Sequence, residues 1–224
     1  MKINTLSYIV LQAVLCTSIL LSSCDSKTSI ILSDDKTTMT VNGTPYPVTE
    51  YKTCASADYA LCDNGKIYRC TKSDVREVYT PTPYSTAAAL YTVGDDLYFS
   101  AIDTLDTRAM RLYAYDTTSD TTDYVMMCDA IAADDGLLCA IQSRAGNMYV
   151  MNNVYYVTEE TTDFTPISID GTNYGYVVGG LSIDDDGQIH FFAIPEMMGT
   201  SEVTLSEYLT MDAVEYIFDP TAEK

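Results

Sequence analysis

The chain of 224 residues has no tryptophan, one histidine and few cations: 12 Lys or Arg against 32 Asp or Glu. Each shortage excludes something. With so little positive charge, no basic face can form to attract phosphates, so nucleic acid is not an expected partner. Anionic lipid headgroups would be repelled as well. The lone histidine, His190, lies in the apolar run Gly187–Ile194 ("GQIHFFAI") and reads as a satisfied structural histidine rather than a general base. No Gly-x-Ser-x-Gly elbow, phosphate loop or His-Glu-x-x-His pair occurs. Long hydrophobic runs are missing too. The one apolar N-terminal segment, Tyr8 to Leu21, is broken by Gln12, Thr17 and Ser18, whereas a helix crossing the hydrocarbon needs about 20 apolar residues.

That short segment follows Lys2, the only charge before residue 25, and ends Leu21-Ser22-Ser23-Cys24 before turning polar at Asp25. A basic start, a short apolar core and small residues read as an export signal. The ending resembles a bacterial lipobox. The resemblance implies that residues 1–23 are removed and that the Cys24 thiol accepts a diacylglyceryl group. Two or more acyl chains anchor stably where one is marginal, at about 0.8 kcal/mol per buried CH₂. The membrane is thus the expected partner, reached through Cys24, and the bacterial cell envelope the expected location. Asp25-Ser26-Lys27 does not decide between inner and outer membrane, or between periplasm and cell surface.

The 201 residues after position 23 carry 11 Lys or Arg against 32 Asp or Glu, a formal charge of about −21. They suffice for one sizeable core. Residues 24–37 read as a lipidated tether, in which about ten flexible residues reach roughly 15–20 Å, and 38–224 as the folded domain. Five cysteines remain after Cys16 leaves and Cys24 is lipidated: Cys54, Cys62, Cys70, Cys128 and Cys139. An odd number cannot all pair within one chain, and most sit among apolar neighbours, as small hydrophobes do. Their spacing does not match the close pairs of a zinc site.

The mature chain alternates in short runs rich in Tyr, Val, Ile and Thr, separated by Asn-Gly, Asp-Gly or Gly-Asp turns, the hairpin signature. "TMTVNGTPYPVTEY" (Thr38 to Tyr51) reads as strand, Asn-Gly turn, strand. Similar stretches are anchored on Ile67, Leu97, Leu137 and Ile189, at steps of 30, 40 and 52 residues. Propeller blades repeat every ~40–50 residues. "RLYAYDTTSDTTDYVMM" (Arg111 to Met127) resembles the third strand, turn and outer strand of a propeller blade. In "LYFSAI", Leu97, Phe99 and Ala101 face one way and Tyr98, Ser100 and Ile102 the other; both sets are partly apolar, as a blade between two neighbours requires. The expected fold is all-β and antiparallel, with propeller-like repeats of about 40 residues, the alternative being a β-sandwich. If Asn64-Gly65 forms a two-residue turn, Cys62 opposes Ile67, and Cys62 and Cys70 point to opposite faces. A short helix is expected near Leu205 to Leu209.

Catalytic patterns give little. Among 32 acidic residues some pair always looks suited to glycoside hydrolysis. "SIDDDGQ" (Ser182 to Gln188) is similar to a calcium loop, but Ala193 occupies the twelfth position where an EF-hand needs a carboxylate. Asp184, Asp185 and Asp186 therefore read as a turn first and as weak calcium ligands second. No cofactor is expected. Nineteen tyrosines suggest sheet packing, with some free to bind protein or glycan. The expected function is a non-catalytic binding or scaffold module of the envelope. The rival is an enzyme acting on glycans through dispersed carboxylates, and a third reading is a shortened propeller relative that has lost its activity.

Overall fold

A computed structural model describes residues 28–103, 110–134, 136–142, 153–161, 163–169, 174–195 and 211–222. Among these residues every element is a strand, every pairing is antiparallel, and neighbours in sequence are neighbours in the sheet. The first unit comprises β1 (Ile30–Leu32), β2 (Thr38–Val41) and the start of β3 (Thr44–Cys54). The second takes the rest of β3 with β4 (Ala57–Cys62), β5 (Ile67–Cys70) and β6 (Val75–Tyr79). The third is β7 (Ser85–Val93), β8 (Asp96–Asp103), β9 (Met110–Asp116) and the start of β10 (Thr121–Asp134). The fourth is the rest of β10 with β11 (Leu137–Gln142), β12 (Val154–Thr158) and β13 (Thr165–Pro166). The fifth is β14 (Tyr174–Ile183), β15 (Ile189–Pro195) and β16 (Val214–Phe218).

Two long strands hand the chain from unit to unit. β3 pairs with β2 through Pro47 and with β4 from Val48 onward. β10 pairs with β9 up to Cys128 and with β11 from there to Asp134, with a bulge between Cys128 and Ala130. A bulge bends its strand, which lets one segment close one sheet and open the next. The Asn42-Gly43 turn has φ of +50° and +82°. That is the type I′ geometry that matches strand twist, and it sets Val41 opposite Thr44.

The units stack face to face because each central strand is apolar on both sides. In β4, Tyr59 and Leu61 enter the cluster shared with the third unit, while Ala60 and Cys62 enter the one shared with the first. In β8, Leu97 and Phe99 face the second unit and Tyr98 the fourth. In β11, Leu138 and Ala140 face the third unit and Leu137, Cys139 and Ile141 the fifth. Four clusters in series are the packing of a propeller sector and not the single core of a sandwich, as the Leu97/Tyr98 alternation predicts. Phe99 is a hub, its ring 5.1 Å from Tyr113 and 4.9 Å from Tyr79. Fully burying a side chain of this size stabilises by about 1.5–3 kcal/mol.

Three expectations need correction. Ile67 opens the third strand of its unit, whereas Leu97, Leu137 and Ile189 lie in the second. The second strands start at Ala57, Asp96, Leu137 and Ile189, steps of 39, 41 and 52 residues. Ile30–Leu32, expected in the tether, pair with β2, with the side chains of Ile30 and Leu32 covering the first cluster and Ile31 exposed. The β4–β5 turn is longer than two residues: Gly65 donates its N–H to the Cys62 carbonyl, and Leu61, not Cys62, opposes Ile67. Cys62 and Cys70 therefore share one face and one buried cluster. Neither they nor Cys54, Cys128 and Cys139 form a disulfide. The expected helix at 205–209 lies outside the described residues.

A candidate binding groove between the third and fourth units

The wedge between the third and fourth units is filled at its centre by Leu112, Cys128, Leu138 and Val157. Towards one edge it opens into a groove of about 390 Å³. One side is formed by Tyr98 of β8, Ala114 of β9, and Val125 and Met126 of β10. The other is formed by Gln142 of β11, Tyr155 of β12, and Asp163 and Phe164 just before β13. The rings of Tyr98 and Phe164 meet edge to face at 5.7 Å and 89°.

Local sequence explains how these residues arrive there. Gln142 ends the strand Leu137–Gln142, and period-two alternation puts it on the face of Leu138 and Ala140, towards the third unit. Tyr124 and Met126 are separated by a pairing irregularity against Tyr113 and Leu112, which re-aims the strand beside the groove. Burial pushes the Tyr98 hydroxyl up to about 12, with the charges of Asp96 and Asp163 adding to the shift. The side-chain oxygen of Gln142, Oε1, is buried and has no hydrogen-bond partner among the described residues. Buried polar atoms are nearly always satisfied, by protein, water or ligand.

The acidic candidates lie elsewhere. Asp184 Oδ1 accepts the backbone N–H of Asp186 at 3.0 Å and of Gln188 at 2.8 Å, and Oδ2 sits 3.0 Å from His190 Nε2. The Gln188 N–H and the histidine hold its carboxyl below the usual carboxylate range. Asp184 thus caps a turn, while Asp185 and Asp186 are exposed. Among the described residues no three His, Cys, Asp or Glu side chains are grouped as a metal site requires.

His190 also faces Glu215, with Nδ1 3.0 Å from Oε1. Glu215 and then Asp184 raise the imidazole pKa above its ordinary value. With a carboxylate on each ring nitrogen, the imidazole has no nitrogen free to take a proton from a substrate. Two carboxylates do converge here, but on a histidine at an open sheet face, with 36% and 48% of their side chains exposed. Cys24, the predicted lipidation site, lies outside the described residues.

No protein-family model matches the chain, and no curated protein does. Solved structures similar to it include an oligogalacturonate lyase in complex with manganese, at 12% identity over 84% of this chain and 56% of that one, with a TM-score of 0.41. A chain of the mitotic checkpoint complex shares 13% identity over 62% of this chain and 42% of its own, with a TM-score of 0.32. PorZ, a surface component of the type-IX secretion system of Porphyromonas gingivalis, shares 9% over 89% of this chain and 40% of its own, with a TM-score of 0.20. The chain spans between 40% and 56% of the length of these proteins.

Proposed function

We propose that this protein is a non-catalytic binding module of the bacterial cell envelope, held to a membrane by acyl chains on Cys24, with the groove between its third and fourth units as the ligand site. The observation that carries the binding reading is the groove lining: three aromatic rings and a buried amide oxygen without a partner. Ligand sites combine apolar and aromatic walls with a few fixed polar groups; this groove is lined about equally by polar and apolar atoms, and its volume of about 390 Å³ suits a small ligand or a protruding side chain.

The carboxylates argue the same way. A glycosidase sets two of them across a cleft, one protonated and one not. Here Asp184 and Glu215 are engaged with His190 on an open face, and among the described residues Asp163 is the one carboxylate lining the groove. Anchoring draws support from the lipobox-like Leu21-Ser22-Ser23-Cys24. If the anchored chain begins at Cys24, only residues 25–29 separate the lipid from β1, so the domain rides close to the bilayer.

Two experiments test the reading. Cys24→Ala should leave the protein unprocessed or released from membranes, and labelled fatty acid attaching to that variant would overturn the anchor. Envelope amines, peptides and glycans can be titrated against the protein while the mixture is followed by mass spectrometry. A binding module saturates and returns its ligand unchanged; a ligand converted to product would overturn the non-catalytic reading.

A further inference from the structure

We infer that the groove receives a primary ammonium group on a short apolar stem, either a free alkylamine or a partner protein's lysine side chain. This rests on the binding-module reading and names the chemistry of its ligand. The buried Oε1 of Gln142 demands a donor. Asp163 adds a carboxylate at the rim. Tyr98, Tyr155 and Phe164 supply aromatic rings, whose faces attract a cation within about 6 Å.

Among the described residues no Lys, Arg or His lines the groove, and the chain carries a formal charge of −20, so the net field there disfavours an anion. A quaternary ammonium could lie on the rings but would leave Gln142 without a donor. The ligand must therefore carry both positive charge and N–H groups. Ala114, Val125 and Met126 line the same space with apolar atoms that suit a short methylene stem.

The methyl of Met126, 6% exposed, gives a local NMR reporter, assigned by the signal missing from Met126→Leu. Titrating n-butylammonium into the full chain should move this signal saturably, and n-butanol should bind at least tenfold more weakly. N-acetyl-lysine-N-methylamide distinguishes the sources: binding like butylammonium points to a partner's lysine, and failure beside butylammonium points to a free amine. Asp163→Asn, on an exposed residue, should weaken butylammonium several-fold. Gln142→Leu should reduce the preference over butanol, leaving the part owed to Asp163 and the rings, with no fall in thermal midpoint, since it removes an unpaired buried oxygen.

Equal binding of butanol, or of butyltrimethylammonium, overturns the inference. Stronger binding of butyrate or glucose overturns it too, while leaving the binding-module reading intact. No movement of the Met126 signal with any amine overturns it as well. Conversion of a probe to product overturns the binding reading instead.

Discussion

Leu61 pairs with Ile67 across the β4–β5 hairpin, and that register sets the company of the cysteines around it. Leu61 and Ile67 point into the cluster between the second and third units; Cys62 and Cys70 point together into the one between the first and second. Burial pushes the Cys62 thiol up to about 12 and the Cys70 thiol up to about 11.

The thiolate is the reactive form, so the native protein should be nearly inert to Ellman's reagent at pH 8. Cys54, Cys128 and Cys139 are also buried, with thiols raised to about 11, 12 and 12. All five should react within the mixing time in concentrated guanidinium. A fast native phase of one or more equivalents, in protein whose Cys24 is acylated, would show that one of these clusters is open to water.

His190 makes stability depend on pH. Its folded pKa lies above the unfolded value of 6.5, chiefly through Glu215 and then Asp184. The folded state thus holds the proton more tightly. The stabilisation is fully present below pH 6.5 and disappears as pH rises through the folded value. The groups facing His190 are Asp184 and Glu215, both substantially exposed, so the effect on stability should be small. The single histidine gives one imidazole titration by NMR. It should lie above 6.5, fall more in Glu215→Gln than in Asp184→Asn, and return near 6.5 in the double variant.

Gly65 should be far less replaceable than Gly43. Both have positive φ, +74° and +82°. An added Cβ at Gly65 would lie 2.3 Å from Thr86 Oγ1, whereas at Gly43 it meets nothing within 4 Å. Gly43→Ala should cost only the backbone strain, about 1 kcal/mol. Gly65→Ala adds a collision between the second and third units. It should cost at least twice as much in urea denaturation and lower the thermal midpoint by several degrees more, given about 2–4 °C per kcal/mol at this size. Equal losses would mean that Thr86 simply turns away.

The sequence makes the strand faces legible because the period is two: Leu97 and Phe99 part from Tyr98, and the Asn42-Gly43 turn names its own geometry. It does not show the Leu61–Ile67 register, because Asn-Gly fits several loop lengths and one extra residue reverses every side chain. The groove is harder still. It joins Tyr98, Met126, Gln142 and Phe164 from two units, and alternation says which face a residue takes, not what stands opposite it. One clue was present. Gln142 continues the face of Leu138 and Ala140, so a polar group had to enter an apolar interface and find a donor there.

The second and third units are also joined by a polar clamp, and it separates charge from geometry. Arg76 of β6 lies 2.6 Å from Asp120, in the β9–β10 turn, and Tyr115 donates its hydroxyl to the same carboxylate. Asp120 itself has φ +59°, a conformation that Asp and Asn tolerate better than other side chains. The side chains of Arg76 and Asp120 are 38% and 41% exposed, so their ion pair should contribute less than about 1 kcal/mol. Asp120→Asn keeps the backbone shape and an acceptor for Tyr115, and should lose only that fraction. Asp120→Ala also strains the turn and leaves the hydroxyl of the 2%-exposed Tyr115 without its acceptor, adding about 1–3 kcal/mol. Urea midpoints of the two variants should therefore fall unequally, and 0.5 M salt should bring wild type and Asp120→Asn together while leaving Asp120→Ala behind. If both variants lose the same amount and salt erases it, the clamp is electrostatic alone and the turn at Asp120 carries no strain.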